Sequence, residues 1–171
     1  MAAKLENRTK KETKNMDRIV KIGIIGCGGI ANGKHMPALS RIPNVKMVAF
    51  CDLIPERAEK ARTKYGTPDA KVYTDYKELL KDKEIEVVHV LTPNREHADI
   101  TVDSLYAGKH VMCEKPMAKT VPEAEAMLEA AKRTGKVLTI GYNNRQNMDV
   151  QYVKKACDAG ELGEIYYAKA L

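Results

Sequence analysis

The sequence predicts an α/β domain built on a doubly wound parallel sheet. Three observations carry that expectation. Short apolar runs alternate with helix-length stretches about six times along the chain. A glycine cluster follows directly on the first apolar run. The connections are short, which leaves parallel crossovers through the intervening helices, and such crossovers are right-handed.

The elements follow in order. Residues 19–25 read Ile-Val-Lys-Ile-Gly-Ile-Ile, a nearly continuous apolar run that suits a strand covered on both faces. After the glycines a helix is predicted over 30–41, then a second strand over 45–51. Pro55 suits a first helical turn and opens a helix to about Tyr65. A short strand near Val72 and a short helix over 75–81 come next. Residues 86–91, Glu-Val-Val-His-Val-Leu, form another buried strand. A helix over 95–107 ends at Gly108, and a strand over 110–113 leads into Glu114-Lys115-Pro116. Thr120 with Glu123 three residues on forms a capping box for a helix that Gly135 stops. A sixth strand over 137–141 and a helix over 150–159 follow, and residues 165–171 read as the start of a further strand.

Composition narrows the function classes. Of the 171 residues, 44% are hydrophobic and 30% charged, the ordinary balance of a soluble globular protein. No apolar run approaches the roughly 18 residues that span a bilayer, and the N-terminus lacks the apolar core of a secretory signal. A cytoplasmic location and no membrane partner are therefore expected. Cys27, Cys51, Cys113 and Cys157 are scattered, which reads as apolar filler rather than a disulfide framework, and no metal site is expected. Much of the excess behind the net charge of +6 sits in the leader, with Lys4, Arg8, Lys10, Lys11, Lys14 and Arg18. Glu6, Glu12 and Asp17 dilute it, and no aromatic residue there offers base stacking. Residues 1–18 are expected to be a disordered, solvated leader, and no nucleic-acid partner is expected.

The sharpest motif is Gly26-Cys27-Gly28-Gly29-Ile30-Ala31, which follows a strand and opens a helix, as a dinucleotide-binding loop requires. Gly26 permits the tight turn. Gly28 has no side chain to keep a pyrophosphate from the backbone. Ala31 is small enough for the helix to pack on the strand, and Gly29 and Ile30 complete the loop. Backbone N–H groups and the helix dipole then face the phosphates. Asp52 lies about 20 residues on, at the end of the second strand, where an acid binds ribose hydroxyls. A carboxylate there accepts from the 2′-OH of NAD and repels the 2′-phosphate of NADP. NAD is the expected cofactor, with NADP possible because Arg57 stands nearby. The sheet is thereby expected to be a Rossmann fold.

Two further segments carry a family resemblance: Leu91-Thr92-Pro93-Asn94-Arg95-Glu96-His97, and Ala107-Gly108-Lys109-His110-Val111-Met112-Cys113-Glu114-Lys115-Pro116. With the glycine loop and His35-Met36-Pro37-Ala38-Leu39, they resemble the Gfo/Idh/MocA oxidoreductases over about residues 19–171. The resemblance implies an N-terminal Rossmann domain and a C-terminal α/β domain with a large antiparallel sheet. It implies hydride transfer between a sugar- or inositol-like alcohol or ketone and the nicotinamide. Thr92, Pro93 and Asn94 look like the loop passing the cofactor's ribose, and His97 matches a position near the dinucleotide. Glu114 would contact the nicotinamide ribose. Lys115 would reach the substrate hydroxyl as the catalytic lysine, and a cis peptide before Pro116 would fit. Arg145 matches a family arginine that reaches substrate, although Gln146-Asn147-Met148 departs from the family pattern there.

The resemblance also implies an Asp-x-x-x-His segment supplying the proton-transfer histidine, and this sequence contains none. His35, His89, His97 and His110 match no such motif. The expected organisation is a leader over 1–18, a dinucleotide-binding domain over 19–145, and over 146–171 a linking helix and first strand of a truncated C-terminal domain. Such a chain is expected to bind cofactor without efficient turnover, and its unfinished strand is expected to fray or to self-associate weakly. A non-catalytic dinucleotide-binding sensor or regulatory module is the alternative.

Overall fold

The computed structural model describes residues 18–169. These fall into two compact units, one ending at Gly141 and the other beginning at Tyr142. Among the described residues no helix is long and apolar enough to cross a membrane.

The first unit is a six-stranded, all-parallel sheet. Its strands are β1 Val20–Ile25, β2 Val45–Cys51, β3 Lys71–Tyr73, β4 Val87–Val90, β5 His110–Cys113 and β6 Leu138–Ile140. The helices between them are α1 (residues 29–39), α2 Pro55–Tyr65, α3 Tyr76–Lys81, α4 His97–Tyr106 and α5 Val121–Thr134. The spatial order β3-β2-β1-β4-β5-β6 reverses direction between β1 and β4. That is the Rossmann arrangement, and its switch point lies at the carboxyl ends of those two strands.

Alternation along β1 builds both cores. Ile22 and Ile24 pack on one face with Met36, Phe50 and Ala58; Ile25 packs on the other with Val88, Leu105 and Met127. The near-continuous apolar reading of the strands follows from this double coverage. Lys109 is almost fully buried at the start of β5, where its ammonium donates to the carbonyls of Asp82 (2.6 Å) and Ile85 (2.9 Å). Those bonds offset the cost of burying the charge.

The capping signals are met. The Thr120 hydroxyl accepts from the Glu123 N–H at 3.3 Å, and the Glu123 carboxylate accepts from the Lys119 N–H at 2.9 Å. Gly135 ends α5 at φ +64°. Cys27, Cys51 and Cys113 are buried and free; Cys157 is half-buried and free.

The second unit holds a 3₁₀ turn, Asn143–Gln146, and helix α6, Met148–Asp158, capped by the Asn147 side chain. No residue of α6 is buried. The strand expected from Ile165 does not form over residues 165–169, which are exposed; residues 170–171 lie outside the described residues. A strand needs a hydrogen-bonding neighbour, and β propensity at Ile165, Tyr166 and Tyr167 supplies none. Of the basic leader, residues 1–17 also lie outside the described residues, while Arg18 pairs with Glu86.

Candidate functional site

At the carboxyl end of the sheet, beside the switch point, lies a cavity of about 830 Å³. Its lining includes Gly26, Gly28, Gly29, Asp52, Arg57, Tyr76, Thr92 and Pro93. The sheet brings these together because β1, β2 and β4 are adjacent and parallel, so their terminal loops open on one edge.

The glycine loop is shaped by two different constraints. Gly26 has φ +92°, and a Cβ there would stand 2.7 Å from the carbonyl carbon and oxygen of Leu91. The loop after β4 therefore presses on Gly26. A Cβ at Gly28 or Gly29 meets nothing within 4 Å, so the backbone at these positions faces open space. Ala31 is fully buried under the helix, as its size predicts, whereas Ile30 is exposed. Open backbone N–H groups at the start of a helix, over a small buried residue, fit a pyrophosphate.

Asp52 is held in place. One carboxylate oxygen accepts from the Cys27 N–H at 2.8 Å and the other from the Ile54 N–H at 2.9 Å. Each oxygen keeps a lone pair for a further donor. The thiols flanking this carboxylate are inert. Burial, with the Asp52 charge adding, pushes Cys27 and Cys51 up to about 12, so neither is a thiolate near neutral pH.

The Thr92-Pro93-Asn94 loop follows β4. Thr92 and Pro93 line the cavity, while Asn94 begins an exposed 3₁₀ turn and does not. His97 does not line it either. The ring is 1% exposed, with Nδ1 facing the Pro116 carbonyl at 2.7 Å and Nε2 facing the Thr92 carbonyl at 2.9 Å. His97 thus ties the loop after β4 to the turn after β5.

That turn is Glu114-Lys115-Pro116, with a cis peptide before the proline. The Glu114 carboxylate accepts from the Lys115 N–H at 2.9 Å and pairs with His35 Nε2 at 2.7 Å. The Lys115 side chain is exposed. Arg145 belongs to the second unit, where its guanidinium lies 5.8 Å from the Tyr142 ring. In the sequence His35 carries no mark as a site residue beyond its place in the His-Met-Pro-Ala-Leu segment. Tyr76, Asp75 and Asp99 also line the cavity without a motif to mark them.

His89 on β4 packs edge-on to His35, ring centroids 5.9 Å apart, and its Nδ1 is buried without a partner. Burial, then the neighbouring His35, pushes its pKa down from 6.5 to about 4. The unfolded chain takes up that proton near pH 6.5 and the folded chain only near pH 4. The contribution to stability is therefore complete above pH 6.5 and is lost as pH falls toward 4, by up to about 3 kcal/mol. Urea unfolding of the parent and of His89→Leu at pH 7 and pH 4.5 checks this. The variant is expected to lose less stability on acidification; equal losses contradict it.

Comparison with known proteins agrees with this geometry. A family model described as an oxidoreductase family with an NAD-binding Rossmann fold, GFO_IDH_MocA, matches residues 20–142. An inositol 2-dehydrogenase of Salmonella paratyphi B is 37% identical over 146 residues, covering 85% of this chain and 43% of that protein. The WlbA dehydrogenase of Bordetella pertussis, solved with NADH and UDP-GlcNAcA, superposes with a TM-score of 0.80 at 30% identity, covering 88% of this chain and 42% of the other. The 3-ketoreductase KijD10 of Actinomadura kijaniata, solved with TDP-benzene and NADP, gives 0.77 at 28% identity, covering 86% and 46%. The chain spans less than half the length of each of these proteins.

Proposed function

The chain belongs to the Gfo/Idh/MocA oxidoreductases, and on that premise we propose that it is the cofactor-binding part of a dehydrogenase acting on a sugar- or inositol-like alcohol or ketone. The observation that supports this best is the pairing of an open glycine cradle with a fixed carboxylate across one cavity at the switch point. Gly28 and Gly29 hold the pyrophosphate, with Gly26, Ile30 and Ala31 setting the loop. Asp52 accepts from the adenosine ribose. Thr92, Pro93 and Asn94 pass the ribose side, with His97 bracing their loop from behind. Glu114 receives the nicotinamide ribose. Bound NAD supplies the hydride acceptor or donor. Lys115 donates a hydrogen bond to the substrate oxygen, where an ammonium stabilises developing negative charge. Arg145 contributes a contact to substrate.

The cofactor domain is taken as residues 19–145, which runs four residues past the break between the two compact units at Gly141 and Tyr142. We place the protein in the cytoplasm. The 171-residue chain by itself is proposed to bind cofactor without efficient turnover, because none of its histidines matches the expected proton-transfer motif.

Cofactor preference tests the reading. Asp52 cannot swing away from a 2′-phosphate without giving up the Cys27 and Ile54 N–H bonds. The chain is expected to bind NADH at least about tenfold more tightly than NADPH, a difference of about 1.4 kcal/mol. Asp52→Ser is expected to narrow that gap. Calorimetric titration of both cofactors measures it, and a parent that prefers NADPH contradicts the role given to Asp52. A parent that binds neither cofactor contradicts the whole proposal.

A further inference from the structure

The helix that follows the glycine loop is not a regular α-helix. It is helical over residues 29–39, but its central turn, Ala31–His35, is π-helical. Such turns inside α-helices are rare and gather at functional sites, because the extra residue redirects the side chains that follow. Here the turn delivers His35 to Glu114. The two side chains are 12% and 14% exposed, and Nε2 lies 2.7 Å from Oε1.

The carboxylate is confined from other directions too. Its second oxygen accepts from the Lys115 N–H. At the end of β6, a Cβ on Gly141 would stand 3.3 Å from Oε1, so the absence of a side chain there leaves Glu114 its place. His89 packs edge-on against His35 on the side of β4, ring centroids 5.9 Å apart. Three elements of the first unit therefore meet at one carboxylate: α1, the turn after β5, and the end of β6.

We propose that His35 is a positioning residue, which from the π turn of α1 aims Glu114 and the adjoining Lys115 backbone at the nicotinamide ribose. One helix then sets both ends of the site, since its first residues form the pyrophosphate cradle and its π turn orients the carboxylate that meets the other half of the dinucleotide. This rests on the cofactor reading above.

ADP and NADH separate the two halves of the site. ADP carries the adenosine and pyrophosphate but neither the second ribose nor the nicotinamide. In the parent chain NADH is expected to bind more tightly than ADP. His35→Leu is expected to weaken NADH about tenfold and to leave ADP within about twofold. His35→Gln, whose amide N–H reaches where Nε2–H stood, is expected to restore NADH affinity. His35→Asn, polar but too short to reach Oε1, is expected to behave like His35→Leu and serves if the leucine variant does not fold. Calorimetry with both ligands reads all four proteins. Unchanged NADH affinity in His35→Leu and His35→Asn overturns the proposal, as do parallel losses of ADP and NADH, which mark a merely structural pair. Equal affinity of the parent for ADP and NADH overturns it as well while leaving the cradle and Asp52 in place. A parent that binds neither ligand removes the cofactor reading and this proposal with it.

Discussion

The Gly28→Val chain is expected to fold like the parent and to lose NADH affinity by at least about 100-fold, a change near 3 kcal/mol. The two halves of that result have separate physical origins. A Cβ at Gly28 meets no atom within 4 Å, so the new side chain branches into open space rather than against packed backbone. The same open space is what a pyrophosphate needs in order to reach the backbone N–H groups at the start of α1. A branched side chain there holds the phosphates away, and each hydrogen bond to a charged oxygen that is lost costs about 1.5–3 kcal/mol. Losing two accounts for the expected effect. Thermal melting of parent and variant should agree within about 2 °C, a shift that corresponds to less than about 1 kcal/mol. Calorimetry with NADH should show no measurable heat of binding for the variant. Retained affinity would place the phosphates elsewhere than on this loop.

Gly26→Ala is expected to do the opposite and damage the fold first. At φ +92° a non-glycine residue is strained, at a cost on the order of 1–3 kcal/mol. The added methyl would also stand 2.7 Å from the Leu91 carbonyl and 2.8 Å from the Thr92 nitrogen. These are backbone atoms and cannot rotate aside, so the end of β4 must move, an overpacking cost of a further 1–3 kcal/mol or so. The sum is about 4 kcal/mol, which lowers the melting temperature by about 10 °C in a chain of this size. The shift falls on the β1–β4 seam that forms the switch point, so the surviving folded fraction should also bind NADH more weakly. A melting temperature within about 2 °C of the parent would show that the loop after β4 yields more easily than its packing implies.

The contrast between these two glycines was only half legible in the sequence. The spacing Gly-x-Gly-Gly-x-Ala marked both as parts of a phosphate loop. That Gly26 is forced by the approach of Leu91 and Thr92, while Gly28 faces open space, depends on a strand more than 60 residues away in the chain. Asp52 was legible as the acid at the end of β2, but not its two backbone donors, one of which comes from inside the glycine loop. His97 was read as a residue close to the dinucleotide. Its ring is buried between two loops, one of them the cavity-lining Thr92 loop, because its first-turn position on α4 points it at the Thr92 and Pro116 carbonyls.

What the sequence determined by itself is local. Strand-length apolar runs, the glycine loop, the Thr120–Glu123 cap and the Gly108 and Gly135 stops each depend on a few neighbouring residues, and their order leaves little choice but a parallel, doubly wound sheet. Strand propensity at residues 165–169 was equally local and did not suffice, since pairing needs a second strand. Only the tertiary structure decided which polar groups meet. His35 and Glu114 are 79 residues apart, and the π turn that brings them to 2.7 Å has no mark in the apolar pattern of α1. A helix can absorb an extra residue in one turn without changing which face is buried, so the hydrophobic period predicts the helix and not the direction of its polar side chains. Those directions are set where buried polar groups must find partners across the sheet, and that requirement acts only once the strands have come together.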